Sequence, residues 1–99
     1  MIMIDKDEIV ERVAAHRSEL KDFHVRSLAM FGSMARGEGR VDSDVDFLVE
    51  FDRPIDLFAF CDVEDFLAEM LGRKVDLVLH DSVKPLLSER ILSEAVRVF

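Results

Sequence analysis

Residues 5–23 place Ile9, Val13 and Leu20 at helical spacings among charged residues, which predicts an amphipathic first helix. Asp5, with Glu8 three residues on, has the pattern of an N-cap. The run Val25–Phe31 (VRSLAMF) is short and apolar and ends at Gly32-Ser33, as a buried strand does. Helix-forming MAR follows, and then GEGRVDSD, whose two glycines and polar residues mark a loop. Residues 46–51 (DFLVEF) predict a second strand, stopped by Arg53-Pro54. Over 55–71, Leu57, Phe58, Cys61, Phe66, Leu67 and Met70 fall on one broad helical face, and Gly72 is a ready stop. Residues 74–79 (KVDLVL) predict a third strand. Residues 83–98 predict a last helix, with Pro85 tolerated in its first turn. There is no repeat, low-complexity tract or linker.

Composition narrows this picture. With 99 residues, 49% of them hydrophobic, the chain suits a single domain spanning 1–99 with one core. A domain this small exposes much of its surface, so a site gripping two substrates is expected to borrow surface from a partner or a second copy. The formal net charge of −8 argues against direct nucleic-acid binding, which calls for clustered Lys and Arg, and favours metal cations. One cysteine, Cys61, rules out an intrachain disulfide framework and fits a reducing cytoplasm; it reads as a small buried apolar side chain. The start, MIMIDKDEIVER, matches neither a secretory signal nor a membrane span, so a cytoplasmic protein is expected.

The chemistry is concentrated in GSMARGEGRVDSDVD, where Gly32-Ser33 is followed after ten residues by Asp44-x-Asp46. At average residue usage such a match arises by chance in about one chain in a thousand of this size, which makes it a signal worth following. Gly32-Ser33 stands between a strand and a helical turn, where backbone N–H groups point at an anion, and the serine hydroxyl is a further donor. Arg36, about one turn on, is placed either to reach a phosphate or to lie on the surface; Arg40 is a weaker candidate. Asp44 and Asp46 are two apart and share a strand face, where they repel unless a cation lies between them. Asp76 is a charged residue inside an apolar run, where burial without a partner is costly. If the second and third strands are neighbours, the three carboxylates converge into an oxygen-only ligand set suited to Mg²⁺ or Mn²⁺. Read as an EF-hand from Asp42, the segment has Phe47 and Arg53 where Gly and Glu are required, which excludes calcium sensing. His16, His24 and His80 have no zinc spacing and read as surface or strand-end residues. Nor do Cys or Ser pair with a His base. Phe58 and Phe60 cannot both face inward on one helix, which leaves room for a partner contact there.

The strand-GSMARG-loop-SDVDFLVEF block, followed after a helix by KVDLVL, resembles the minimal nucleotidyltransferases of the DNA polymerase β-like superfamily over residues 28–79. The resemblance implies an α+β fold with a small mixed sheet packed against helices. It also implies that Gly32 and Ser33 hold the triphosphate of a nucleotide, ATP, and that Asp44 and Asp46 ligate two Mg²⁺ ions. It implies too that Asp76 completes one metal site and helps activate the attacking hydroxyl. Many minimal members act as antitoxins of HEPN-domain ribonucleases, some by moving AMP from ATP onto a toxin tyrosine. The expectation is therefore a protein adenylyltransferase antitoxin with a cognate HEPN toxin as substrate and partner. The chain has no tyrosine, so tyrosine self-modification is excluded. Two other readings stand beside it. One is a binding antitoxin that blocks the toxin without catalysis, against which speaks the retention of three mutually repelling carboxylates. The other is transfer to a small hydroxyl compound, which usually needs an added acceptor domain.

Overall fold

The computed structural model describes residues 6–35, 44–82, 91 and 93–99, and for Ser33, Met34 and Ser82 the backbone only. The amphipathic first segment forms two helices, α1 (Lys6–Ala15) and α2 (Arg17–Asp22), where one was expected. The break is His16, at φ −116° and ψ 26°, whose ring Nδ1 lies 2.8 Å from the carbonyl of Arg12. That local contact competes with the helix, and the imidazole then meets the Phe66 ring edge-on, centroids 5.9 Å apart. The predicted face holds across the break: Ile9, Val13 and Leu20 are fully buried. Asp5 lies outside the described residues, while Glu8 pairs with Arg12 at 2.9 Å, an i,i+4 contact worth a few tenths of a kcal/mol.

Three strands match their sequence runs closely: β1 (Val25–Phe31), β2 (Val45–Phe51) and β3 (Val75–Leu79). They form a sheet ordered β3-β2-β1-β4, where β4 is the two-residue Val96–Arg97. β1 runs antiparallel to β2 and β4, and β2 runs parallel to β3. A parallel pair needs a crossover, which α4 (Leu57–Leu71) supplies. Between β1 and β2 lies the short α3 (Gly32–Ala35). Leu28 and Met30 of β1, Val45, Phe47 and Val49 of β2, and Val75 and Leu77 of β3 point to one face. There they share one core with Ile9, Val13, Leu20, Val63, Leu67 and Leu71. Each such aliphatic or aromatic side chain contributes about 2 kcal/mol by leaving water.

α4 begins after Asp56, whose carboxylate accepts from the N–H of Ala59 at 2.8 Å, and stops at Gly72, left-handed at φ 67°. Its buried stripe is Val63, Leu67 and Leu71, with Phe60, Phe66 and Met70 partly covered beside it. This corrects the expected face. Leu57 and Phe58 are 72% and 82% exposed, and Cys61 is exposed rather than buried. At about 100° per residue, Phe58 and Cys61 stand on the far side of the helix from the 63/67/71 stripe. Glu64, on the flank, accepts from the backbone N–H of Leu77 in β3 at 3.2 Å.

The predicted helix over 83–98 is corrected at its end. Residues 83–90 and 92 lie outside the described set, and Ile91, Ser93 and Glu94 have helical backbone. Val96 and Arg97, however, form β4, opposite Met30 and Ala29. Val98 is buried in the core, its N–H donating to the Leu28 carbonyl at 2.9 Å. Unpaired backbone on the outer side of β1 offers more to this segment than one further helical turn.

Candidate active site

β1 ends at Gly32, whose φ of +76° lets the chain turn from strand into α3. A Cβ at Gly32 would collide with Oδ2 of Asp46. The aspartate carboxylate therefore lies directly against the backbone of the Gly32-Ser33 turn, and glycine is required there for both conformation and space.

Asp46 is the middle of a row across the sheet. Its register partner in β1 is Phe31 and in β3 is Asp76. Parallel register partners project to the same face, so the two carboxylates stand side by side on strands about 4.8 Å apart. Asp44, immediately before β2, is exposed at the same end of the sheet. Of the three carboxylates expected to converge, the register sets Asp46 beside Asp76. The supposed burial of Asp76 is not found: it is exposed, so like-charge proximity sets it apart, not desolvation. Arg36, Arg40 and Asp42 lie outside the described residues.

Sequence reasoning missed Lys74. Its Nζ is 3.9 Å from Oδ2 of Asp44, and its carbonyl accepts from the N–H of Val45 at 2.9 Å, where the β2–β3 pairing begins. The side chains are 81% and 45% exposed, so the ion pair is weak and leaves Asp44 able to turn. Among the described residues no three His, Cys, Asp or Glu side chains are close enough to hold a metal ion as they stand. The donor set nevertheless fits a small hard cation in kind: two adjacent carboxylates, and a third, weakly held, at the head of the same strand.

The face carrying the carboxylates continues along the strands. The next row comprises Ala29 of β1, Leu48 of β2, Val78 of β3 and, opposite Ala29, Arg97 of β4. Beyond it, Ser27 donates its hydroxyl to Glu50 at 3.0 Å. A groove of ≈420 Å³ opens over this part of the sheet, lined by Arg26, Ser27, Ala29, Glu50, His80 and Arg97 among others. A second, of ≈460 Å³, continues past it toward Asp52, Arg53 and Asp81.

A strand turning through Gly-Ser beside paired carboxylates on a small mixed sheet defines a nucleotidyltransferase, and the chain belongs to that family: the nucleotidyltransferase domain matches residues 13–98. It is 41% identical over 99 residues to the protein adenylyltransferase MntA of Thermococcus cleftensis, covering 99% of this chain and 100% of that one. Among solved structures, one described provisionally as a minimal nucleotidyltransferase superposes with a TM-score of 0.81 at 34% identity, covering 94% of this chain and 95% of the other. Two toxin–antitoxin complexes share the fold. One, solved with AMP-PNP, has a TM-score of 0.73 at 23% identity, covering 91% of this chain and 72% of that one. The other is a tri-AMPylated Shewanella oneidensis HEPN toxin with its MNT antitoxin, with a TM-score of 0.66 at 20% identity, covering 92% and 71%. The chain is thus an enzyme of the minimal nucleotidyltransferase class, with an α+β fold.

Proposed function

We propose that this enzyme transfers AMP from ATP to a tyrosine hydroxyl of a cognate HEPN ribonuclease toxin and so acts as its antitoxin. The observation that carries the reading is the in-register Asp46–Asp76 pair beside the Gly32 turn. The 41% identity to a protein adenylyltransferase supports the choice of a protein acceptor, and the fold shared with a HEPN toxin's partner supports the choice of toxin.

In this reading the backbone of Gly32 and Ser33 holds the β- and γ-phosphates, with Arg36 available to the same phosphates. Asp44, Asp46 and Asp76 hold two Mg²⁺ ions, which when bound neutralise the phosphates and make the acceptor oxygen a better nucleophile. Asp44 leaves Lys74 to do so. The acceptor oxygen attacks the α-phosphorus in line, a new oxygen–phosphorus bond forms, and the bond to pyrophosphate breaks on the Gly32-Ser33 side. Asp76 takes the hydroxyl proton and passes it to solvent. The tri-AMPylated state of the HEPN toxin in the complex that shares this fold supports extending the reading to more than one AMP per partner.

The test is incubation of the cognate HEPN protein with enzyme, Mg²⁺ and ATP radiolabelled at the α-phosphate. Label on the toxin with wild type, and none with Asp44→Asn/Asp46→Asn, is the expected result. No label, together with a stable complex and silenced ribonuclease, replaces catalysis with a binding antitoxin.

A further inference from the structure

Lys74 stands at the site, and the transfer reading gives it nothing to do once Asp44 has left it. It directly precedes β3, and the alternation that buries Val75 and Leu77 turns Lys74 to the same face as Asp76, about 7 Å along the chain. Across the sheet it faces Asp44, with Nζ 3.9 Å from Oδ2. Its backbone is fixed, since the Lys74 carbonyl accepts from the N–H of Val45 at 2.9 Å. Its side chain is not: it is 81% exposed, and 3.9 Å is too long for a hydrogen bond. An ammonium free on a tethered stem can exchange partners without moving the sheet.

What it exchanges Asp44 for follows from where it lies. The strand order puts Gly32-Ser33, after the end of β1, on one flank of the Asp46–Asp76 pair, and Lys74, at the head of β3, on the other. In the transfer reading the β- and γ-phosphates belong to the Gly32-Ser33 flank. The α-phosphate, over the carboxylate pair, is then the phosphate on the Lys74 side. Negative charge grows on its non-bridging oxygens as the acceptor oxygen attacks, and the surrounding carboxylates have the same sign. An ammonium is a compact point charge suited to such an oxygen.

We propose that Lys74 is an internal counter-ion that changes partners during the reaction: it holds Asp44 in the metal-free enzyme and, once Asp44 turns to a metal ion, donates to a non-bridging oxygen of the α-phosphate. The second contact rests on the transfer reading above, which places the nucleotide; the first rests on the ion pair itself. The Lys74 charge then acts with opposite sign at the two stages. With metal alone, the ammonium competes for Asp44 and opposes binding. With nucleotide in place, it stabilises the charge that develops on the α-phosphate. A lysine that pairs only at rest gives the first effect and not the second, and one that merely shapes the start of the β2–β3 pairing gives neither.

The test compares wild type, Lys74→Ala and Lys74→Arg. Any residue at 74 keeps the carbonyl bond to Val45, so both variants retain the β2–β3 pairing. Mn²⁺ binding to the nucleotide-free protein is followed by the EPR signal of the free ion, and steady-state AMP transfer to the HEPN partner at saturating Mg²⁺ gives kcat and KM. Lys74→Ala is expected to tighten Mn²⁺ about two- to fivefold. It is also expected to lower kcat at least about tenfold while KM for ATP stays within about twofold. Lys74→Arg keeps the charge, and is expected to bind Mn²⁺ as wild type does and to recover most of kcat. Mn²⁺ affinity unchanged by Lys74→Ala, or too weak to measure in every form, overturns the proposal, as does unchanged kcat. A raised KM for ATP at unchanged kcat also overturns it and assigns the ammonium to the β- and γ-phosphates; a raised KM for the partner alone assigns it to the acceptor. Wild type that transfers no AMP overturns the transfer reading and with it the α-phosphate contact, while the Mn²⁺ titration decides the exchange at Asp44 by itself.

Discussion

At the scale of single residues the site depends on two close approaches. Gly32 has both a left-handed backbone and Asp46 where a side chain would be. Gly32→Ala is therefore expected to cost about 1–2 kcal/mol in urea unfolding and to lower transfer at least about tenfold, because the carboxylate it displaces is the central one. Asp76→Asn separates structure from chemistry in the opposite direction. With a neighbouring Asp46 in register, removing one charge in the presence of chelator is expected to leave stability unchanged or raise it by up to about 0.5 kcal/mol, while transfer is lost. A large destabilisation of Asp76→Asn would show the carboxylate to be a structural anchor instead.

Among the elements, α4 is delimited by its caps. Asp56→Ala removes the bond to Ala59 N–H and is expected to cost about 1 kcal/mol. Gly72→Ala meets no neighbour within 4 Å, so its cost, about 1 kcal/mol, comes from the left-handed backbone alone. Both are read from denaturation midpoints. The Gly72 stop was legible in the sequence because a glycine after a helical run acts locally, whereas Asp56 as the N-cap emerges only from the structure. The strands were legible for a similar reason. Even their register is written twice: DVDFLV aligned on KVDLVL sets Asp46 beside Asp76 and Asp44 beside Lys74. What local pattern does not carry is which way a helix turns on a sheet. The apolar residues of the first turns of α4 suggested one face, and packing against Phe47 and Leu77 selected another. Nor does it carry competition for a strand edge. Residues 96–98 continue a helical pattern, yet the alternation of Val96, Arg97 and Val98 serves equally as a strand, and the open side of β1 decides between them. The groove lined by Arg26 and Arg97 was invisible for the same reason, since only the β1–β4 pairing brings residue 97 alongside β1.

For the whole molecule, charge governs encounter. A ribonuclease presents cationic surface to RNA, and this chain carries a net −8. Association with the proposed toxin is expected to slow by about an order of magnitude from ~10 mM to ~150 mM salt in stopped-flow mixing, with dissociation much less affected. None of the described helices is long and apolar enough to cross a membrane. One contact between α4 and β3 bears on how the protein survives among other chains. The Leu77 N–H faces outward from the last strand of the sheet and is occupied by Glu64 at 3.2 Å. An outermost strand with its amides open is a template on which stray polypeptide can grow. The Glu64 carboxylate occupies one of those amides, which gives it a role in opposing misassembly beside its packing. Glu64→Ala is expected to leave catalysis intact and to turn a monodisperse preparation into one that aggregates with concentration, visible by light scattering.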